Sequence, residues 1–265
     1  MSTLSIVIPA YQEARRLPRL IRAIRTTAQA DVAAAGLTLH EVLVVDDGSS
    51  DGTGAVLAEA AEREPLLRAL TAPPGRRGKG HAVAHGLRHA TGERVLLADV
   101  DLSAPLSELR KLTAARADVA VGSRALHGAH VEGTPLPREL MGRTFNALVR
   151  AVTPLDLHDT QCPLKLLDAD LARRLSQGQI ATGFAFDVEL LLRARRAGAR
   201  VVEVPIEFHH DRDSRVRPVA SAASMAFDLL RLSVRLRARA ARQRERDARG
   251  QAQPAPDEPR LEGER

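Results

Sequence analysis

The sequence predicts an α/β fold of three layers, α/β/α, built around a mostly parallel sheet, with a basic amphipathic helix added at the C-terminal end. Three observations predict it. Short runs rich in Val, Leu and Ile alternate with longer stretches of helical composition, the rhythm of βαβ units. The runs are apolar throughout rather than alternating, as strands covered on both faces are. Acidic residues gather where the runs stop, and open parallel sheets bind ligands beyond the carboxyl ends of their strands.

Taken in order, the strand candidates are Leu4–Ala10, Glu41–Asp46, Arg94–Asp99, Asp118–Gly122 and Val201–Phe208. Between them Glu13–Gln29, Thr53–Glu62, Gly80–His89 and Pro105–Ala115 have helical composition. After residue 123 the rhythm loosens. Gly128–Pro137 is rich in Gly and Pro and is expected to be a loop, Gly142–Val152 a helix, and Phe186–Ala197 a helix before the last strand. From Ser221 to about Arg246 the chain reads as one long basic helix, and Gly250–Arg265 lacks the apolar residues needed to fold. The expected organisation is a domain over 1–217, a helical extension over 218–247 and a disordered tail over 248–265.

Composition bounds the function. The chain has 265 residues, 44% of them hydrophobic, enough for one large core, yet aromatics are 2% and Trp is absent. Cys162 stands alone, so no disulfide forms within the chain. The net charge is +6, and only Lys79, Lys111 and Lys165 are lysines, so Arg carries nearly all the positive charge. Such charge suits phosphate-bearing ligands or an anionic surface. Nucleic acid is not an expected partner, because the arginines are dispersed and lack aromatic neighbours for base stacking. No run approaches the length of a membrane span and no leader is evident, so the expected place is the cytoplasm, peripheral on the inner face of the cell membrane.

The strand ends carry the chemistry. The first closes in Pro9-Ala10-Tyr11-Gln12-Glu13, and the second in Asp46-Asp47-Gly48-Ser49-Ser50-Asp51-Gly52-Thr53. Gly48 and Gly52 suit a turn and Asp51 a helix cap, but neither explains two adjacent carboxylates. Successive strand residues face opposite ways, so one of Asp46 and Asp47 can face a ligand while the other anchors the loop. The third ends in Asp99-Val100-Asp101, where residues at i and i+2 are expected to converge on one divalent cation. Gly75-Arg76-Arg77-Gly78-Lys79-Gly80 opens a helix and suits an anion, though it lacks the spacing of a Walker loop. His81, His85 and His89 follow at intervals of four and read as a solvated helix face.

In this order, "IVIPAYQE", "VVDDGSSDGT", "GKG", "LLADVDLS", "VGSR" and "DTQCPLK" resemble the glycosyltransferase family 2 enzymes, in the branch of the dolichyl-phosphate β-glucosyltransferases and dolichyl-phosphate mannose synthases. The resemblance spans about residues 3–217 and implies a Rossmann-like GT-A fold. It implies that Pro9, Tyr11, Glu13, Asp46 and Asp47, with Lys79 nearby, hold the nucleotide sugar. Asp99 and Asp101 would bind Mg²⁺ or Mn²⁺ and the diphosphate. Arg124, Arg138 and Arg143 match basic positions set against phosphate, and Asp159, Gln161 and Lys165 the acceptor-side segment. Asp187 matches a carboxylate beside the sugar, counted with Asp99 and Asp101 among the catalytic residues. The chain departs from the family in Cys162-Pro163-Leu164-Lys165, where "CGFK" is frequent, and in Phe208-His209-His210, where Trp is frequent.

What the resemblance implies is transfer of a hexose, with inversion, from a nucleotide diphosphate sugar to a polyprenyl phosphate. "DTQC" favours UDP-glucose as donor over GDP-mannose. The alternatives are a GDP-mannose-dependent polyprenyl-phosphate mannose synthase, a glycosyltransferase acting on a soluble or cell-envelope hydroxyl, a sugar-nucleotide pyrophosphorylase and a non-catalytic nucleotide-sugar-binding protein. In the terminal helix Met225, Leu229, Leu232 and Leu236 form one apolar stripe flanked by Arg231 and Arg235, and an interfacial helix is expected there, with a helix packed on the domain as the alternative.

Overall fold

The computed structural model describes residues 1–75, 77–183 and 185–210, together with Leu229 and Arg231. Along the chain run β1 (Ser2–Ala10), α1 (Leu17–Thr26), α2 (Ala28–Ala34), β2 (Leu37–Asp46), α3 (Thr53–Arg63), β3 (Leu67–Thr71), α4 (Lys79–His89) and β4 (Arg94–Leu97). Then follow α5 (Leu109–Ala114), β5 (Val119–Ser123), β6 (His130–Glu132), α6 (Leu136–Val152), β7 (Lys165–Asp168), α7 (Ala169–Ser176), α8 (Phe186–Arg196), β8 (Val201–Pro205) and β9 (Glu207–His209). Seven strands form one sheet in the order β3-β2-β1-β4-β7-β5-β8. It is parallel except at β7, which runs antiparallel to β4 and β5.

The five strand candidates all form, and the sheet is covered on both faces as their unbroken apolar runs require. Leu4, Val7, Leu43, Val44, Leu96 and Val121 are almost wholly buried. Each such side chain contributes roughly 1.5–3 kcal/mol relative to exposure. At the amino ends of the central strands one carboxylate is also buried. Glu41 accepts from Ser5 Oγ (2.7 Å), Thr91 N (2.7 Å) and Thr91 Oγ1 (2.7 Å), and pairs with Arg68.

The helix expected over Glu13–Gln29 is two, α1 and α2, parted at Thr27, and three further expectations change. The run Val201–Phe208 is two strands rather than one, broken at Ile206. The Ile206 N–H donates to Ser123 O at 3.2 Å, closing the main sheet, while its carbonyl accepts from His130 N at 3.1 Å, opening the next. Hence the Gly/Pro segment 128–137, expected to be a loop, contributes β6, which pairs in parallel with β9. Second, α6 starts at Leu136, six residues before the expected Gly142, because Pro135 and Pro137 fit the cap and first turn of a helix. Third, β3, β7 and α7 form where no element was expected. Asp168 caps α7 by accepting from Leu171 N at 3.1 Å.

Most of the expected extension and tail lies outside the described residues, including Met225, Leu232 and Leu236. Leu229 is helical and wholly buried against the main core, and Arg231 is helical and exposed. At Leu229 the apolar stripe therefore faces protein, not a headgroup boundary. Among the described residues no helix is long and apolar enough to cross a membrane.

Candidate functional site

The carboxyl ends of β1, β2 and β4 open into one cavity of about 1950 Å³, closed on its far side by α6 and the β6–β9 pair. At its floor Asp46, the last residue of β2, and Asp47, the residue after it, divide between loop and cavity. Asp46 Oδ1 accepts from Ser49 N (3.1 Å) and Ser49 Oγ (2.5 Å), anchoring the loop away from the cavity. Asp47 lines the cavity, accepts from Gly78 N and lies 3.3 Å from His81 Nδ1. The end of β1 is tied to the same loop. Gln12, in the left-handed region at φ 59°, donates from N to Ser49 Oγ (2.8 Å), and Glu13 N donates to Thr53 Oγ1 (2.8 Å). These bonds present Pro9, Tyr11 and Glu13 to the cavity, with Glu13 3.3 Å from Arg16.

Lys79 is the first residue of α4, and its loop is clamped from above. A Cβ on Gly78 (φ 124°) would meet Thr182 O at 2.4 Å, and one on Gly80 would meet Phe186 Cβ at 2.4 Å. Only glycine lets residues 179–183 lie so close. That segment is held in turn by buried Glu189, which accepts from Ile180 N (2.9 Å) and Ala181 N (2.7 Å). Lys79 Nζ sits 2.7 Å from Asp99 Oδ1. Burial would lower its pKa, but the carboxylates of Asp99, Asp187 and Asp101 outweigh burial and hold the ammonium above its ordinary value.

Asp99 and Asp101 both line the cavity, though not by strand alternation. β4 stops at Leu97, and Asp99–Leu102 form a turn in which Leu102 N donates to Asp99 O at 3.1 Å. Asp101 Oδ1 accepts from Ser103 N (3.0 Å), while Val100 between them is buried. Among the described residues no group of three metal-ligating side chains occurs. Two carboxylates suit a Mg²⁺-like ion that takes its other oxygens from phosphates and water.

The far side of the cavity is basic. Arg124 makes a bidentate pair with buried Asp159, Nε to Oδ2 at 2.7 Å and Nη2 to Oδ1 at 2.9 Å. Its guanidinium lies 4.9 Å from the Phe208 ring centre. Burial would raise the Asp159 pKa, but Arg124 outweighs it and holds the carboxyl below its ordinary value. Arg138 Nη1 donates to His210 Nε2 at 3.2 Å, and burial followed by the nearby Arg124 charge lowers its pKa. Arg143 is an exposed partner of Glu139 at 2.6 Å, and Gln161 lines the same wall.

Lys165 differs from expectation. It is wholly buried on β7 and does not line the cavity; Nζ lies 2.5 Å from Asp187 Oδ1 and donates to Cys162 O at 2.5 Å. It supports Asp187, on the first turn of α8, from beneath instead of meeting an acceptor. Burial outweighs the attraction of Lys165 and Lys79, so the Asp187 carboxyl titrates above its ordinary range. Two residues not expected in the site also shape it. His81 fixes Asp47, and Glu203 on β8 accepts from His158 N and Asp159 N, each at 2.7 Å. His81 was hidden in a stripe that reads as a solvated face, and nothing in the sequence marks Glu203.

The family model described as Glycosyl transferase family 2 matches residues 5–175. A dolichyl-phosphate beta-glucosyltransferase of Trichomonas vaginalis is 32% identical over 87% of this chain and 70% of its own length. The dolichyl-phosphate beta-glucosyltransferase of Mus musculus is 31% identical over 88% of this chain and 75% of its own length. Among solved structures, glucosyl-3-phosphoglycerate synthase from Mycobacterium tuberculosis, in complex with Mn²⁺, UDP and glucosyl-3-phosphoglycerate, superposes with a TM-score of 0.62 at 20% identity. That match covers 87% of this chain and 78% of the other. Mannosyl-3-phosphoglycerate synthase from Rubrobacter xylanophilus gives 0.64 at 18% identity, over 88% and 73%. At these identities the two structures share the fold.

Proposed function

The chain belongs to glycosyltransferase family 2, and from that membership we propose that it transfers a hexose, with inversion, from a nucleotide diphosphate sugar to a polyprenyl phosphate. One observation carries the reading. A carboxylate pair, Asp99 and Asp101, and an arginine cluster, Arg124, Arg138 and Arg143, line the same cavity. The first suits a metal-bound leaving diphosphate and the second an anionic acceptor. Relatives over 87–88% of this chain bear the name dolichyl-phosphate beta-glucosyltransferase, which supports a lipid phosphate and a glucosyl donor.

Pro9, Tyr11, Glu13 and Asp47 take the nucleoside at the ends of β1 and β2. Asp46 acts through the loop it anchors. A Mg²⁺ or Mn²⁺ held between Asp99, Asp101 and the diphosphate would supply neutralisation of charge on the leaving nucleotide. Lys79 adds a cation beside it. Arg124, fixed in orientation by Asp159, presents its remaining donor edge to the acceptor phosphate, with Arg138, Arg143 and Gln161 around it. A phosphate monoester has a second pKa of ~6, so the nucleophile is already anionic at neutral pH and no base need deprotonate it. Asp187, steadied by Lys165, orients the sugar. For a hydroxyl acceptor the same carboxyl, with its raised pKa, is the base.

The test is a donor screen of the purified chain with Mn²⁺ and a polyprenyl phosphate. Incorporation from UDP-glucose into lipid is the expected result. Transfer only to a soluble phosphorylated or hydroxyl acceptor replaces the lipid assignment, and transfer from GDP-mannose alone replaces the donor.

A further inference from the structure

The large hydrophobic side chains that remain exposed among the described residues are few and gathered. Apart from Met1 they are Tyr11, Val131, Leu136 and Leu140. Tyr11, Val131 and Leu140 line the cavity, and Leu136 lies one helical turn before Leu140. On α6 the positions 136, 140, 143 and 147 recur at four, three and four, so Leu136, Leu140, Arg143 and Ala147 share one exposed face. The opposite face, with Phe145 and Val149, is buried. Leu136 is 77% exposed and Leu140 64%. Two leucines presented side by side to water, at the mouth of a ligand cavity, call for a partner.

Resting on the lipid-phosphate reading above, we propose that the exposed face of α6, with Val131 beside it, takes the hydrocarbon chain of the acceptor where it leaves the cavity. Three observations choose this occupant. The face is continuous with the cavity through Leu140, so a molecule anchored inside can reach it without a gap. Its charge is complementary to an amphiphile with an anionic head, because Arg143 shares the stripe while Arg138 and Arg124 line the wall behind it. A cavity of about 1950 Å³ is larger than the ~300–1000 Å³ usual for one small ligand, which leaves room for a donor and the head of a second molecule. Leu229, on the terminal helix where an apolar stripe was also expected, is buried in the core and offers a lipid nothing.

The experiment compares two acceptors, undecaprenyl phosphate in phosphatidylcholine vesicles and water-soluble geranyl phosphate, for the full chain and for L136S/L140S. The ratio of kcat/KM for the long acceptor to that for the short one is expected to fall about tenfold or more in the variant, since it loses apolar contact made only by the longer chain. Leu136→Met/Leu140→Met keeps the ratio. Both positions are exposed, so unchanged thermal melting is the folding control. An unchanged ratio in L136S/L140S, with both acceptors used, overturns the surface and leaves the functional reading standing. Equal loss of binding to acceptor-free vesicles assigns the face to the bilayer and overturns the chain assignment. A wild-type dimer that the variant dissolves assigns it to a second copy, with the same consequence. Transfer to neither acceptor by the unaltered chain overturns the functional reading itself, and this surface with it.

Discussion

Lys79 Nζ lies 2.7 Å from Asp99 Oδ1, so an ammonium occupies the flank of the carboxylate pair that a divalent cation would claim. The two cations compete for one carboxylate. Lys79→Met is therefore expected to tighten Mn²⁺ binding to the nucleotide-free protein while slowing transfer. Calorimetric titration with Mn²⁺ alone reads the first effect. Weaker Mn²⁺ binding in that variant would mean that Lys79 supports the ion indirectly.

Asp101→Asn removes a negative charge but keeps an oxygen to accept from Ser103 N. Folding should be unchanged and transfer should fall roughly a hundredfold or more, the scale of several kcal/mol of charge stabilisation. Melting and rate measurements on one preparation check both. Strong activity in this variant, or in wild type with excess chelator, contradicts the metal assignment.

Lys165→Met strands the Asp187 carboxylate in a dry site. A loss of about 3–5 kcal/mol is expected, because breaking a buried pair leaves an uncompensated charge. The surviving protein should show the acid limb of its pH–rate profile at higher pH, since loss of the neighbouring cation raises the Asp187 pKa further. A destabilised variant with an unmoved profile would make Lys165 purely structural.

These pairs mark what was legible in the sequence. The unbroken apolar runs announced the buried strands, and the acids at their ends marked the cavity. Alternation at Asp46 and Asp47 divided loop anchor from cavity wall without a structure. Asp99 and Asp101 were expected to converge by the same rule and do share the cavity, but through a turn, because β4 ends two residues early. Lys165 could not be placed by local pattern. Its partner lies 22 residues away on α8, and β7 is a four-residue strand with no alternation to read. The switch at Ile206 was hidden for a similar reason, since one residue bonds to two sheets and no local pattern marks it.

Arg124 depends on geometry as well as charge. Arg124→Lys keeps the charge but loses the bidentate pair with Asp159 and the contact with Phe208. The expected effect is a tenfold or greater rise in acceptor KM, about 1.4 kcal/mol or more, with donor binding unchanged. Parallel loss of UDP affinity would place Arg124 on the donor side.

Glu41 sets acid stability at the far end of the sheet. Burial would raise its pKa, but hydrogen bonds from Ser5, Thr91 and Arg68 outweigh burial and hold it at about 2, against an ordinary 4.5. A depressed folded-state value stabilises above the unfolded pKa and is lost as pH falls through the folded one. The wild type should therefore lose up to about 3 kcal/mol between pH ~4.5 and ~2, and Glu41→Gln should lose less of its own stability over that window. Urea midpoints at several pH values test the difference.

In the proposed reaction the arginine wall receives a phosphate, and this phosphate is the nucleophile. The product made from UDP-glucose and a polyprenyl phosphate, purified and examined by phosphorus and proton NMR, tests this directly. One phosphodiester phosphorus coupled to the anomeric proton of the transferred sugar is expected, in the configuration opposite to that of the donor. A product whose anomeric carbon is joined to a hydroxyl oxygen, or one that retains the donor configuration, would contradict it.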